Sequence, residues 1–280
     1  MSLAKLLLPY RARKRICFQI LSDLHLEVDI GRLADYEAFR DFLRSQCEKF
    51  KQVYLVLGNH EFFGVSRQEG LCLASTLPQE PGLKGRLIVM NQKRVDLQDV
   101  TLLGCTLQSH IPPEAKDIVR QKINDFLRIF DWTVENHNTE HANDVKWLAD
   151  EISSIRMSES GSKRKIVVIT HHAPLTKGTS KPTDKNNPWS SAFGTDLLGR
   201  EEGSCLDGVQ WWISGHTHYS TELITGKVKL VSNQRGCILP NTDDDGREAR
   251  AKFTSRVLLK VWDNVKQKQG TFDPEKTIEV

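Results

Sequence analysis

The sequence predicts an α/β fold, and three observations favour it. Short apolar segments rich in β-branched residues alternate with segments of helical periodicity, and the second half of the chain is richer in predicted strands. Polar side chains directly follow four of the apolar segments, as they do at the strand ends of open α/β sheets. With 280 residues and no evident linker, we expect a single domain over 1–280 with its core at about 16–262.

The first predicted elements are strands and one amphipathic helix. Buried strands are expected at 16–21, 53–57, 166–170 and 209–214. Ahead of the second of these, apolar side chains recur at helical spacing, with acidic residues early and basic residues late. These side chains are Tyr36, Phe39, Leu43, Cys47 and Phe50. The pattern predicts a helix that precedes the strand at 53–57.

Further strands and one more helix follow along the chain. Short β-rich runs are expected at 86–90, 94–97 and 100–105, and later runs at 228–232 and 255–262 would close a sheet. A second amphipathic helix is marked by Val145, Leu148, Ile152 and Ile155. The patterning alone therefore supports an α/β fold and no finer class.

The stretch from 174 to 208 has neither helical nor strand periodicity and is rich in Lys, Gly, Ser, Asn and Pro. Loops of this length inside a compact domain are usually functional or disordered. Because it runs between two strand-end motifs, we expect it to border the site. Its cationic side chains either attract a phosphate or are simply solvated; they are Lys177, Lys181, Lys185 and Arg200.

The amino-acid composition indicates which partners and which cellular compartment to expect. The 39 basic and 36 acidic residues give a net charge of +3, which by itself indicates no nucleic-acid or membrane partner. The six cysteines are dispersed without a Cys-x-x-Cys pair, which favours buried thiols in a reducing compartment and hence a cytoplasmic location. The apolar residues 6–8 are too short for a signal-peptide core. The basic run at 11–15 is either a nuclear address or, as we favour, a solvated stretch.

Four short motifs carry the chemistry, and each closes one of the predicted buried strands. They are Asp23-Leu-His25, Gly-Asn59-His60-Glu, Thr-His171-His172-Ala-Pro and Gly-His216-Thr-His218. Carboxylate, amide and imidazole donors suit divalent ions such as Mn, Fe, Zn or Mg. Each motif alone is weak, but the four in this order predict a ligand set for two metal ions.

At this point the chain resembles the calcineurin-like metallophosphoesterase superfamily, over roughly residues 16–262. The resemblance implies a four-layer αββα sandwich with the metal site at the strand C-termini. It also implies hydrolysis of a phosphate mono- or diester by a hydroxide that bridges two divalent metal ions. The expected partner is a phosphoester substrate, whose identity the motifs do not specify.

The resemblance also assigns roles residue by residue. Asp23 and His25, completed by His218, match the ligands of the first metal ion. The second ion's set is matched by Asn59, His171 and His216. His60 is not expected to bind metal and resembles the general acid that protonates the leaving oxygen. His172 matches a variable position, either behind the ligands or facing the substrate.

One part of the superfamily pattern is missing. A strand ending in Gly-Asp normally lies between Asp-x-His and Gly-Asn-His, and its Asp bridges both metals. Here Val28 is followed directly by Asp29-Ile-Gly31, and no apolar strand intervenes. Asp29 is the candidate for the bridging ligand. We therefore expect a sheet that lacks one central strand and a hydrolase that this loss impairs.

Two other functions compete with a hydrolase of phosphoesters. A catalytically inactive member of the same superfamily could serve as a binding scaffold. Separately, His137-Asn-Thr-Glu140-His141 fits the His-x-x-Glu-His pattern of one class of metallopeptidase. That segment is expected to be the polar start of a helix, so we favour a surface or helix-capping role for its side chains.

Overall fold

A computed structural model describes residues 16–23, 32–158, 163–184, 187–198, 206–236 and 270–280. Its helices are α1 (Tyr36–Lys49), α2 (Arg67–Thr76), α3 (Lys116–Lys122), α4 (Asp125–Arg128) and α5 (Val134–Met157). Its strands are β1 (Cys17–Gln19), β2 (Val53–Leu55), β3 (Leu87–Val89), β4 (Lys93–Leu97), β5 (Val100–Cys105), β6 (Lys165–Thr170), β7 (Val209–Ile213), β8 (Thr221–Thr225), β9 (Val228–Ser232) and β10 (Thr277–Glu279). The predicted α/β class is confirmed. In these ranges, no helix has both the length and the apolar character needed to span a membrane.

Six strands form one large sheet in the order β4-β5-β6-β7-β9-β8. The four inner strands run parallel to one another, and β4 and β8 pair antiparallel at the two edges. The other four strands form two small sheets, β1 antiparallel with β10 and β2 parallel with β3. The chain therefore builds one complete sheet and one divided layer.

The side chains of β6 show how the layers stack. Ile166 and Val168 pack with Leu148 of α5 on one face of the large sheet. Val167 points to the other face, where it packs with Ile20 beside β1. On the far side of the small sheets, α1 and α2 cover β2 and β3. Because successive side chains of a strand point to opposite faces, both faces of the large sheet are buried. These layers confirm the expected αββα sandwich.

A gap separates β1 from β2. Across the described ranges β1 pairs only with β10 and β2 only with β3, so no strand lies between them. A cavity of about 190 Å³ occupies this position. It is lined by β2 and the residues after it, by the segment after β1, by α1 and by the facing sheet; the lining includes Leu21, Phe39, Leu43, Tyr54, Val56, Ile169 and Ile213. Within the described residues, the position expected for that central strand holds no strand, as predicted.

The hydrogen bonds of β2 identify its open edge. The backbone N–H of Val53 donates to the carbonyl of Arg86 over 2.8 Å, and the carbonyl of Leu55 accepts from Met90 over 2.7 Å. Backbone groups alternate in direction along a strand, so those of Tyr54 and Val56 point away from β3 and toward the gap. Tyr54 and Val56 also line the cavity.

Most of the predicted elements are present, and α2 is the main helix that was not predicted. Its sequence contains Gly70 and has little apolar periodicity, which hides it from pattern analysis. The hydroxyl oxygen of Ser66 accepts a hydrogen bond from the Glu69 backbone N–H over 3.2 Å. Ser66 followed by Glu69 is a capping-box pattern, and this signal predicts the start of α2. The strand expected at 255–262 lies outside the described residues.

Helix α5 begins earlier than its apolar pattern indicates. Thr133 caps it by accepting a hydrogen bond from the Asn136 backbone N–H over 3.1 Å. The expectation that His137 and His141 are exposed is wrong, because their side chains are only 1% and 7% exposed.

The side chains of His137 and His141 are buried because they form hydrogen bonds with backbone groups in the interior. The chain leaving β5 passes under α5 and presents backbone groups that the sheet does not pair. Ser109 N–H donates to His137 Nε2 over 3.1 Å, and His141 Nδ1 bonds the Leu107 carbonyl over 3.0 Å. Asp144 accepts from the Leu107 N–H over 2.7 Å. Buried backbone groups need partners, so polar residues occupy the inward face of the helix here.

Candidate metal centre

The complete sheet and the divided layer deliver predicted site residues to a common rim. Each residue follows a strand: β1, β2, β6 or β7. Those described are Asp23, Asn59, His60, His171, His216 and His218. His25 and Asp29 lie outside the described residues. The site is therefore built from strand ends, where α/β folds place their ligands.

Three of these residues have left-handed backbone conformations. The φ angles are +47° at Asp23, +69° at His216 and +51° at His218. For residues with a side chain such conformations cost about 1 kcal/mol or more each, and they cluster at functional sites. The Gly236 N–H donates to the Asp23 carbonyl over 3.0 Å and helps to hold the first of them.

Two glycines of the motifs allow side chains to approach the backbone closely. A Cβ atom on Gly58 would lie 2.6 Å from the His171 ring. A Cβ atom on Gly215 would lie 2.5 Å from the carboxylate of Asp23. Both distances are too short for real contacts, so each motif needs glycine beside its ligand.

An amide and two imidazoles converge at the centre of the rim. His171 Nε2 lies 2.9 Å from Asn59 Oδ1 and 3.0 Å from His216 Nδ1. Neighbouring ligand atoms of an octahedral divalent ion, at metal distances of about 2.1 Å, are separated by about 3 Å. The spacing of these three donors thus fits a bound metal ion. Among the described residues, no three His, Cys, Asp or Glu side chains form such a group. Here the third donor is the amide oxygen of Asn59.

The carboxylate of Asp23 lies beside this cluster. Both of its oxygens accept from the His216 backbone N–H over 2.9 Å, and the Ser22 hydroxyl donates to it as well. His218 Nε2 lies 3.8 Å from Asp23 Oδ1. The structure therefore brings together the described members of both predicted ligand sets, Asp23 with His218 and Asn59 with His171 and His216.

His60 lies on a short 3-10 turn immediately after Asn59. Its ring packs on Phe63 with 4.4 Å between the ring centres, and it lines the same cavity as Asn59 and His171. Side chains of adjacent residues point in different directions. His60 is thus placed next to the ligand cluster, as expected for a residue that acts on a substrate.

A second group of histidines lies buried behind the predicted ligands. His172 is fully buried, and its ring centre lies 4.1 Å from that of His216 and 5.6 Å from that of His137. Of the two places expected for His172, the structure shows the one behind the predicted ligands and not the one facing the substrate, because the tight turn after β6 directs it into the interior. Burial, reinforced by neighbouring imidazoles, lowers the pKa of His172 and of His216 well below the usual range. Burial also lowers the pKa of His137 to about 3.

The metallopeptidase pattern does not form a shared metal site. His137 and His141 use ring nitrogens to bond the backbone at Ser109 and Leu107. Glu140 pairs with Arg67 over 3.2 Å. Each side chain therefore has a separate structural partner.

Asp125 is a site residue that sequence reasoning missed. Asn59 Nδ2 donates to its Oδ1 over 2.7 Å, and burial raises the pKa of this carboxyl group. Asp125 begins the four-residue helix α4, far from any strand end. No motif marks it, so only the three-dimensional contact identifies it.

The loop between Pro174 and Gly208 borders the site, as expected. Phe193 stacks on His216 with 4.9 Å between ring centres. Lys177 and Lys181 are exposed on this loop, whereas Lys185 and Arg200 lie outside the described residues. The observed contact with a predicted ligand is therefore apolar.

The layered fold and the strand-end cluster of imidazole, amide and carboxylate define an α/β protein with a candidate metal centre. The model of the calcineurin-like phosphoesterase family matches residues 22–220, and the chain belongs to that family. The chain is 26% identical over 224 residues to an uncharacterized protein of Acanthamoeba polyphaga mimivirus, covering 74% of this chain and 76% of that one. It is also similar in fold to the phosphopantetheinyl hydrolase of Mycobacterium tuberculosis. That match has a TM-score of 0.51 and 16% identity, and covers 71% of this chain and 74% of the hydrolase.

Proposed function

We propose that the chain hydrolyses a phosphate mono- or diester with two divalent metal ions, preferably manganese, held at the strand-end rim. The observation that carries the proposal is the convergence of Asn59, His171 and His216, whose donor atoms lie 2.9 and 3.0 Å apart. Membership of the calcineurin-like phosphoesterase family supports a phosphoester as the substrate. Divalent ions in such a site supply charge stabilisation for phosphoryl oxygens and a nucleophile at neutral pH.

The residues divide into two ligand sets and one acid. Asn59, His171 and His216 would hold one ion, and Asp23 and His218 would hold the other. His25 would join Asp23 and His218 in holding their ion. Asp29 is proposed as the ligand shared by both ions. The backbone N–H of His216 fixes the Asp23 carboxylate on the rim.

His60 would donate a proton to the leaving oxygen of the substrate. It follows Asn59 directly, lines the cavity at the rim and packs on Phe63. A positioned acid typically contributes about 10²–10⁴-fold to a rate.

We also propose that the protein is cytoplasmic. This proposal is supported by the dispersed cysteines, of which Cys17, Cys47, Cys72 and Cys105 are free thiols.

The experiment compares the unchanged chain with His60→Ala on an activated phosphodiester. The unchanged chain should lose activity in a chelator and regain it with Mn²⁺. His60→Ala should lower turnover about 100-fold or more with metal content nearly unchanged, because an acid acts in the transition state and a ligand acts on occupancy. No hydrolysis with any divalent ion would favour the scaffold function, and loss of metal from His60→Ala would overturn its role as the acid.

A further inference from the structure

The amide of Asn59 has two ends of nearly equal size and different chemistry. The carbonyl oxygen can bind a metal ion, whereas the NH₂ group cannot. Asn59 therefore serves as a ligand only if something fixes which end faces the rim. Oδ1 lies 2.9 Å from His171 Nε2, and Nδ2 lies on the opposite side of the amide.

Asp125 occupies that opposite side. Its Oδ1 accepts from Asn59 Nδ2 over 2.7 Å. Asp125 is 2% exposed and Asn59 is 5% exposed, so water competes little for this hydrogen bond. An ionised carboxylate only accepts hydrogen bonds, so it can face the NH₂ end of the amide and not the carbonyl end.

The backbone keeps Asp125 close to the turn that carries Asn59 and His60. The N–H of Gly64, just after this turn, donates to the Arg128 carbonyl at the end of α4 over 2.8 Å. The N–H of Phe130 donates to the Val65 carbonyl over 3.0 Å. Helix α4 is therefore attached to the chain on the C-terminal side of the predicted ligand.

A second contact links α4 to the predicted acid. The Arg128 guanidinium lies 5.5 Å from the centre of the Phe63 ring. The same Phe63 ring packs on His60 at 4.4 Å. One short helix thus contacts Asn59 directly and His60 through an aromatic ring.

We propose that Asp125 is a positioning residue that holds the Asn59 amide with its oxygen toward the metal centre. This inference rests on the proposed metal-dependent function, because it concerns how one ligand is presented. Residues that orient a ligand typically affect metal affinity by about 10–100-fold when replaced. Asp125 itself does not touch the substrate or the ions.

The test is the affinity of the purified protein for Mn²⁺, measured by competition with a chromophoric chelator. Asp125→Asn keeps the size of the side chain but can pair with either end of the Asn59 amide. We expect it to weaken binding of one of the two ions by about 10–100-fold. At saturating Mn²⁺ most of the hydrolysis rate should return, since the chemical groups remain.

Asp144→Asn is the matched control. Asp144 is also 2% exposed and accepts hydrogen bonds from Gln92 and from the Leu107 N–H, but it does not contact the proposed ligands. This variant should lose stability and keep its Mn²⁺ affinity. If both variants weaken Mn²⁺ binding equally, general destabilisation explains the effect and the proposal fails.

A reciprocal exchange gives a rescue that a merely structural role would not produce. Asn59→Asp alone brings two carboxylates together, whereas Asn59→Asp with Asp125→Asn restores one donor and one acceptor. We expect the double variant to bind Mn²⁺ more tightly than either single variant. Unchanged affinity in Asp125→Asn, or no rescue in the double variant, would overturn the role of Asp125 alone. Failure of the unchanged chain to bind Mn²⁺ would overturn the proposed function together with it.

Discussion

The complete six-stranded sheet and the divided layer that faces it supply predicted ligands to the same rim by different means. His171 follows β6, which is hydrogen-bonded to strands on both sides, and His216 follows β7, which is bonded in the same way. Asp23 and Asn59 follow β1 and β2, each paired on one side only within the described ranges. Strand pairing alone can therefore position His171 and His216, whereas local hydrogen bonds must position Asp23 and Asn59.

Those local bonds are visible for both residues of the divided layer. Asp23 accepts from the His216 N–H over 2.9 Å, so its position depends on the complete sheet. Asn59 donates to Asp125 over 2.7 Å, so its position depends on α4. Displacement of a ligand by about 1 Å can lower a rate about 100-fold. The positions of Asp23 and Asn59 therefore depend on these hydrogen bonds, because the strands before them are paired on one side only within the described ranges.

Removing ligands should give the largest effects and distinguish the two metal sets. We predict that His171→Ala or His216→Ala loses the ion bound with Asn59 first, while Asp23→Ala empties the other position. Each variant should lose activity by about 100-fold or more. Elemental analysis of the purified variants measures the ions retained. Equal loss of both ions in all three variants would instead show a coupled pair whose sites cannot be emptied separately.

Filling the gap should give the next largest effect. An apolar strand ending in Gly-Asp, inserted after Val28, should pair with β1 and β2 and extend into the cavity of about 190 Å³. Because Asp23, Asn59 and His171 also line this cavity, only its apolar part would be filled. We expect a gain of about 2 kcal/mol, which corresponds to a rise in Tm of about 5 °C. Metal binding and phosphodiesterase rate should also increase.

The control for this insertion is a Gly/Ser segment of equal length at the same position. It lengthens the connection without supplying an apolar strand. If the unchanged chain matches the strand-inserted chain in Tm, metal stoichiometry and rate, the missing strand is dispensable.

Features that depend on local sequence patterns could be predicted, whereas features that depend on long-range contacts could not. The four strand-end motifs and the break after Val28 are local patterns, so the residues that meet at the rim and the gap among the described strands could be predicted from them. Asp125 could not, because its contact with Asn59 joins residues 66 apart in sequence. The burial of His137 and His141 could not be predicted either, because it depends on backbone groups near β5 that the sheet does not pair. Polar partners of a buried loop leave no periodic signal.

The buried histidines behind the complete sheet predict a pH dependence of stability. His137 has a folded-state pKa of about 3, below the ordinary value of about 6.5. Between these values the unfolded chain binds more protons than the folded one, so the free energy of unfolding falls as pH falls below about 6.5. At pH 5 His137 should account for about 2 kcal/mol of this loss.

Urea unfolding of the metal-free protein at pH 7 and pH 5 measures this contribution. His137→Gln should lose stability at pH 7, because it disrupts a buried contact, but should show about 2 kcal/mol less loss between the two pH values. An identical pH dependence in both proteins would mean that His137 has the same pKa in the folded and unfolded states, which contradicts the prediction.

The smallest predicted effect compares two isoleucines on one strand. Ile166 on β6 is fully buried against α5, whereas Ile169 on the same strand lines the gap cavity. We expect Ile166→Val to cost about 1 kcal/mol and Ile169→Val less than about 0.5 kcal/mol, because a side chain beside a cavity has fewer contacts to lose. Chemical unfolding measures both. Equal costs would indicate that the cavity is filled in solution.

The open edge of β2 can be tested most directly by amide hydrogen exchange resolved at single residues. Val53 donates its N–H to Arg86 over 2.8 Å, while the N–H groups of Tyr54 and Val56 face the gap. We predict fast exchange at Tyr54 and Val56 beside slow exchange at Val53 and throughout β6. Protection of Tyr54 and Val56 equal to that of Val168 would contradict the gap between β1 and β2.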